Sequence, residues 1–184
     1  MRREEAKGSD DWKDKIVAMG LVKQELQQVD KLKFWPHHLP ETEATEEQLA
    51  ATEAHLGHSI DKDYRDFLLC ANGWKAFTQS VNLFGTEDLM GSGLMEHASE
   101  MLKVLDDAFP LSESSGFSRA ELLPIAATLE ERDLHVMTRP TSQYPGIVIW
   151  LSGQEIERYP NFREYFLAMV DYNRLEIDWF EKNS

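Results

Sequence analysis

The chain has 184 residues, 42% of them hydrophobic and 28% charged, which suits a single globular domain with a substantial core and excludes a disordered or fibrous protein. Its 19 Lys and Arg stand against 33 Asp and Glu, a formal net charge of −14, so nucleic acid and anionic membrane are disfavoured as partners, because phosphate binding needs the opposite sign. No apolar run approaches the roughly 20 residues of a membrane span, the first residues are polar rather than signal-like, and the single Cys70 cannot form an internal disulfide; a cytoplasmic protein is expected.

In chain order, Trp12, Ile16, Met19, Val22, Leu26 and Val29 recur at steps of three or four and predict an amphipathic helix over residues 10–33. Asp10 or Asp11 would cap it, and Lys31 and Lys33 would suit the negative end of its dipole. "FWPHHLPETEA" follows as a proline-bearing linker. Residues 1–39 therefore read as a helical extension with its linker and 40–184 as the main domain. The extension either covers the domain's own core or makes a homodimer contact, and the sequence leaves both open.

Thr45 and Gln48 are spaced as a capping box, so a second helix is expected from Glu46, with Gly57 as its left-handed stop. Tyr64, Phe67, Leu68 and Ala71 predict a third helix from about Asp61 to Asn72, closed by Gly73. Beyond it come a short strand "SVNLF", a helix "GLMEHASEMLKVLDDAF", and strands at "LLPIAAT", "DLHVMTR" and "GIVIWL". "PNFREYFLAMVDYNRLEIDWF" returns to helical spacing, with a break expected near Asn173. Strands grouped between helices argue for an α+β layer fold rather than alternating parallel units.

Candidate chemistry is sparse. His55, His58 and Asp61 carry ordinary zinc or iron ligand types, but Gly57 ends the helix between the histidines and no further ligand is prescribed; a solvated helix end accounts for them better. His37 and His38 are adjacent, so their side chains diverge. Cys70 sits among apolar helical residues, where a small buried hydrophobe is expected rather than a nucleophile. "GSGL" at Gly91 to Leu94 lacks the lysine and preceding strand of a phosphate loop. Asp106 with Asp107, and Glu130 with Glu131, are adjacent acids, the pattern of a solvated face rather than a convergent acid and base. No catalytic residue, metal or cofactor is expected. The aromatics Trp74, Phe77 and Phe84 follow a helix stop, and burial is expected for two of the three. Trp74, Glu87 and Asp88 are the candidate partner-facing residues, on loops after helix stops.

The order of signals, "TEEQLAATEAHLG", "DYRDFLLCANGW" and "VNLFGTEDL", resembles the SUKH superfamily of Smi- and Knr-type domains over roughly residues 40–172. Glu53, Leu56, Gly57, Tyr64, Phe67, Leu68, Asn72 and Gly73 match its pattern. Ile60 departs from the family's usual proline, and "ERDLHVMTR" lacks its usual Gly-Asp turn. The resemblance implies an α+β fold, a mostly antiparallel twisted sheet packed against helices, with no catalytic residues to carry over. Gly57 and Gly73 would end helices, and Glu53 would tether a backbone amide. The resemblance further implies a non-enzymatic protein-binding domain: an immunity protein that neutralises a cognate toxin, with an intracellular regulatory or scaffold module of the cell-wall-signalling type as the alternative; members of that second type tend to carry long disordered flanks, and none is expected in this chain. The −14 charge points to a basic partner, and the resemblance implies that this is a toxin of the nuclease type. The remote alternative is a small metal-dependent hydrolase built on His55, His58 and Asp61.

Overall fold

The computed structural model describes residues 2–183, with side chains from Asp11 onward. Seven α-helices and six strands occur among them: α1 (Arg2–Val29), α2 (Glu46–Leu56), α3 (Lys62–Leu68), β1 (Trp74–Thr78), β2 (Val81–Leu83), α4 (Thr86–Leu89), α5 (Gly93–Ala108), α6 (Leu111–Ser114), β3 (Leu122–Ala127), β4 (Asp133–Thr138), β5 (Val148–Ser152), β6 (Glu155–Tyr159) and α7 (Phe162–Asn183). The strands form one sheet in the order β1-β2-β3-β4-β5-β6, every neighbouring pair antiparallel. This is the expected α+β arrangement.

Every residue of β3 is buried, which requires cover on both faces of the sheet. α5 packs against β3 and β4, while α7 packs against β1 and β6 and carries α1 and α3 with it. Where α1, α3 and α7 meet, Trp12 lies 5.9 Å from Phe67 and 5.3 Å from Phe166, and Tyr64 lies 4.6 Å from Phe162, ring to ring. Such aromatic packing adds geometric preference to the large apolar area each ring removes from water. The N-terminal helix thus covers the domain's own core, with Trp12, Met19 and Leu26 fully buried in it.

Several boundaries differ from the sequence expectation. α1 ends at Val29, four residues early, because the buried Asp30 carboxylate turns the chain by accepting from the amides of Phe34 (2.9 Å) and Trp35 (3.1 Å); Lys31 and Lys33 fall beyond the helix. Asp10 lies outside the described side chains, and Asp11 does not cap: it stands inside α1 and pairs with Arg163 of α7, whose hydrogen bond holds its carboxyl below the usual range. α3 stops at Leu68 rather than Asn72. α7 runs unbroken through Asn173, whose buried amide donates to the carbonyls of Met169 (2.8 Å) within the helix and Phe77 (3.2 Å) on β1, so a residue that usually weakens a helix is satisfied within this one. Two strands, β1 and β6, are additions to those expected.

On β4, His135 is fully buried, shares a 2.6 Å hydrogen bond with the Tyr165 hydroxyl on α7, and is pushed down to about 3 by burial. The unfolded chain binds a proton near the ordinary value of 6.5 and the folded chain does not. Stability from this residue is therefore complete above that value and is lost as pH falls towards 3. Denaturant titrations at pH 7 and pH 5 should show the protein losing about 2 kcal/mol more than His135→Gln over that interval.

Candidate functional site

The segment between α1 and α2 is not loose. Glu41 N donates to Gly73 O (3.1 Å), Asn72 N to Thr42 O (3.1 Å) and Ala44 N to Leu68 O (2.9 Å), so it lies alongside the end of α3. Next to it, Asn72 fixes α4 from both ends of its amide: Oδ1 accepts from Thr86 N (2.7 Å) and Nδ2 donates to Thr86 Oγ1 (2.9 Å). The Tyr64 hydroxyl donates to Phe84 O at 2.7 Å, closing the same junction from α3. Gly73 holds φ at +92°, and the backbones approach so closely that a Cβ on Gly85 would stand 2.2 Å from Asn72 O. Only glycine permits that approach.

This junction borders a groove of about 630 Å³ whose lining includes Glu41, Glu43, Glu87 and Asp88, with Lys75 as its cation. Lys75 reaches Glu41 at 3.3 Å, an exposed pair of small energetic weight. The candidate residues Trp74, Glu87 and Asp88 all come together here. Glu87 is exposed, whereas Asp88 is half-buried and committed, accepting from Gly85 N (3.2 Å) and the Ser92 hydroxyl (2.7 Å). Trp74 is the correction. It is 1% exposed, the first residue of β1, with its indole donating to His38 O at 2.9 Å. The glycine that ends the preceding turn leads straight into a strand, so Trp74 forms part of the core with Phe77 and Phe84 instead of projecting from a loop.

The other candidates are dispersed. His58 Nδ1 bonds Ser59 O (2.9 Å) and its Nε2 faces the Arg139 guanidinium at 2.8 Å, which takes up the lone pair a metal would use; His55 is exposed elsewhere on the helix end. Asp61 caps α3 through the amides of Asp63 and Tyr64. Among the described residues no three His, Cys, Asp or Glu side chains gather as a metal-holding group. Cys70 is half-buried against the core. Ser92 of "GSGL" caps α5 by accepting from Met95 N (3.3 Å). Asp106 accepts from Leu111 N while Asp107 pairs with Lys103, so these adjacent acids diverge. Glu53 accepts from Ile60 N at 3.0 Å, the backbone tether that the family resemblance implies. Sequence reasoning missed Glu41 and Glu43, which stood inside a segment read only as a connection.

A model of the SMI1 / KNR4 family (SUKH-1) matches residues 43–168, more than half of the chain. The chain belongs to the SMI1 / KNR4 (SUKH-1) family. No curated protein matches it. Of the residues that carry the resemblance, Tyr64, Asn72 and Gly73 form the junction, while Glu53, Leu56 and Gly57 lie at the end of α2 and Phe67 and Leu68 on α3. α1 and most of α7 lie outside the matched region, and they pack on each other. No described helix is long and apolar enough to cross a membrane.

Replacing Gly85 by Ala forces a Cβ into the Asn72 carbonyl, and the urea midpoint should fall by the equivalent of about 1–3 kcal/mol, the usual range for overpacking. Glu53→Ala strips the Ile60 amide of its acceptor and should cost about 1–2 kcal/mol in the same measurement.

Proposed function

We propose that this SUKH-1 domain is a non-enzymatic binding protein, an immunity protein that occludes a basic protein toxin of the nuclease type. The observation that carries the reading is the groove edged by α4 and the segment before α2, where Glu41, Glu43, Glu87 and Asp88 outnumber Lys75 on a chain of net charge −14. Carboxylates on a rigid backbone attract a cationic partner from a distance and disfavour acidic competitors. Their support is rigid because the groove wall is the glycine-glycine junction itself, so little ordering opposes association. Family membership supports the same class of role. An interface of standard size, about 1,600 Å² in total, would extend well beyond the groove.

The test starts from the gene's neighbourhood, where this reading expects a toxin with a basic carboxyl-terminal module. Mixed at low salt, that module and this protein should form a stable complex, and co-expression should rescue cells from the module. Association should slow by about tenfold or more as ionic strength rises through the range where exposed charges are screened. Glu43→Lys combined with Glu87→Lys should slow it similarly at low salt, with the fold intact, because neither side chain is buried. Absence of a complex at low salt, or turnover of a small molecule by the purified protein, would falsify this reading.

A further inference from the structure

A second cavity, of about 430 Å³, lies between the turn after α1 and the carboxyl half of α7, and all of its lining except Gln79 stands outside the residues matched by the family. Its walls carry five aromatic rings, Phe34, Trp35, Tyr172, Trp179 and Phe180, with Glu176 between them. Two of these rings are displayed to solvent in a way a core would not leave them, Phe34 at 58% and Trp179 at 56% exposure, yet they are held in place: Phe34 stacks on Phe180 at 6.0 Å and Trp179 meets Phe180 edge-on at 5.1 Å.

The floor is anionic. Glu176 Oε1 accepts from Gln79 at 2.6 Å, while Oε2 is buried with no hydrogen-bond partner among the described residues. Asp30 lies behind Trp35, its carboxylate bound by two backbone amides and by His37. The single lysine facing them, Lys23, is buried, turned 3.5 Å from Asn173 Oδ1, and burial lowers it to about 8. Beneath the lining, Glu176 feels the Asp30 carboxylate and the one ammonium of Lys23, so two carboxylates stand against one lysine there. Aromatic faces around a surplus carboxylate are the chemistry that binds an organic cation, the rings offering their negative faces and the apolar walls accepting an aliphatic stem.

We propose that this cavity is a receptor for one lysine or arginine side chain of a protein partner, its stem against Trp179 and Trp35 and its charged head towards Glu176. A residue on a protein, rather than a free amine, is favoured by charge complementarity: a chain of net charge −14 gathers basic proteins, and the exposed rings and Leu175 around the mouth form the apolar rim that such a partner would cover. The inference rests on the binding role proposed above and assigns it a second anchor point, lined mostly by the part of the chain that the family match does not include.

The test is an NMR titration of the full chain, labelled at its tryptophan indoles, with Nα-acetyl-arginine amide and with the neutral isostere Nα-acetyl-citrulline amide. The Trp35 and Trp179 signals should move with the arginine compound while those of the buried Trp12 and Trp74 stay, and the citrulline compound should bind about tenfold more weakly or less. Glu176→Gln should reduce arginine binding about tenfold. Trp179→Ala, at a position 56% exposed, should abolish it in a variant of unchanged melting temperature. Equal response to arginine and citrulline, no effect of Glu176→Gln in a variant of unchanged melting temperature, or tighter binding of tetramethylammonium than of the arginine compound would each overturn the assignment, the last in favour of a small quaternary amine. A toxin complex that forms without any change at Trp35 or Trp179 overturns this pocket and leaves the immunity reading standing; indole shifts with arginine but no toxin complex do the reverse.

Discussion

The close approach of two glycine-bearing turns, Asn72-Gly73 and Gly85-Thr86, is the constraint on which the domain depends. At that distance no side chain fits between the backbones, and the Asn72 amide and the Tyr64 hydroxyl use the proximity to bond Thr86 and Phe84. Three otherwise separate pieces, α3, the β1-β2 hairpin and α4, are thereby fixed to one another. The acidic groove follows from this. Glu87 and Asp88 stand on α4 and Glu41 and Glu43 on a segment bonded to Asn72 and Gly73, so the same contact that holds the fold sets the spacing of the carboxylates. A charged surface whose backbone cannot relax presents a defined field to a partner.

The second organising contact is between α1 and α7, which share the aromatic cluster around Trp12 and a polar row in which Lys23 and Asn173 are buried and Glu176 is half-buried, with Gln79 joining it from the turn after β1. Burying a lysine and a glutamate is costly, and hydrogen bonds within the row offset only part of it. The shifts of both groups away from their ordinary values, Lys23 downward and Glu176 upward, each led by burial, express that cost. Apolar residues would serve a core better at these positions. Most of the lining of the cavity above this row lies outside the residues matched by the SUKH-1 family, with Gln79 inside them.

Much of the local structure was legible in the sequence. The Thr45–Gln48 capping box forms with both of its hydrogen bonds, Gly57 adopts the left-handed conformation, and the apolar runs of β3 and β5 are buried strands, because each depends on residues within a turn or on a period set by neighbours. β6 was invisible for the converse reason: "EIERY" lies at the sheet edge with most of its residues exposed, so no apolar alternation marks it. Asn173 misled because a propensity says nothing of the Phe77 carbonyl that meets its side chain from β1. Trp74 misled because a glycine stop gives the end of a turn but not what the chain enters next.

By itself the sequence determined the class of fold, the family, the net charge and the caps at both ends of α2, since these rest on local spacing, on order of motifs and on a sum of charges. Tertiary structure alone decided which acids share a groove, that Trp74 is core, that α1 seals the domain's own helices, and that five aromatic rings gather around Glu176. Those facts join residues as distant in the chain as Phe34 and Phe180, and their meeting is fixed by packing and backbone contact that no local pattern encodes.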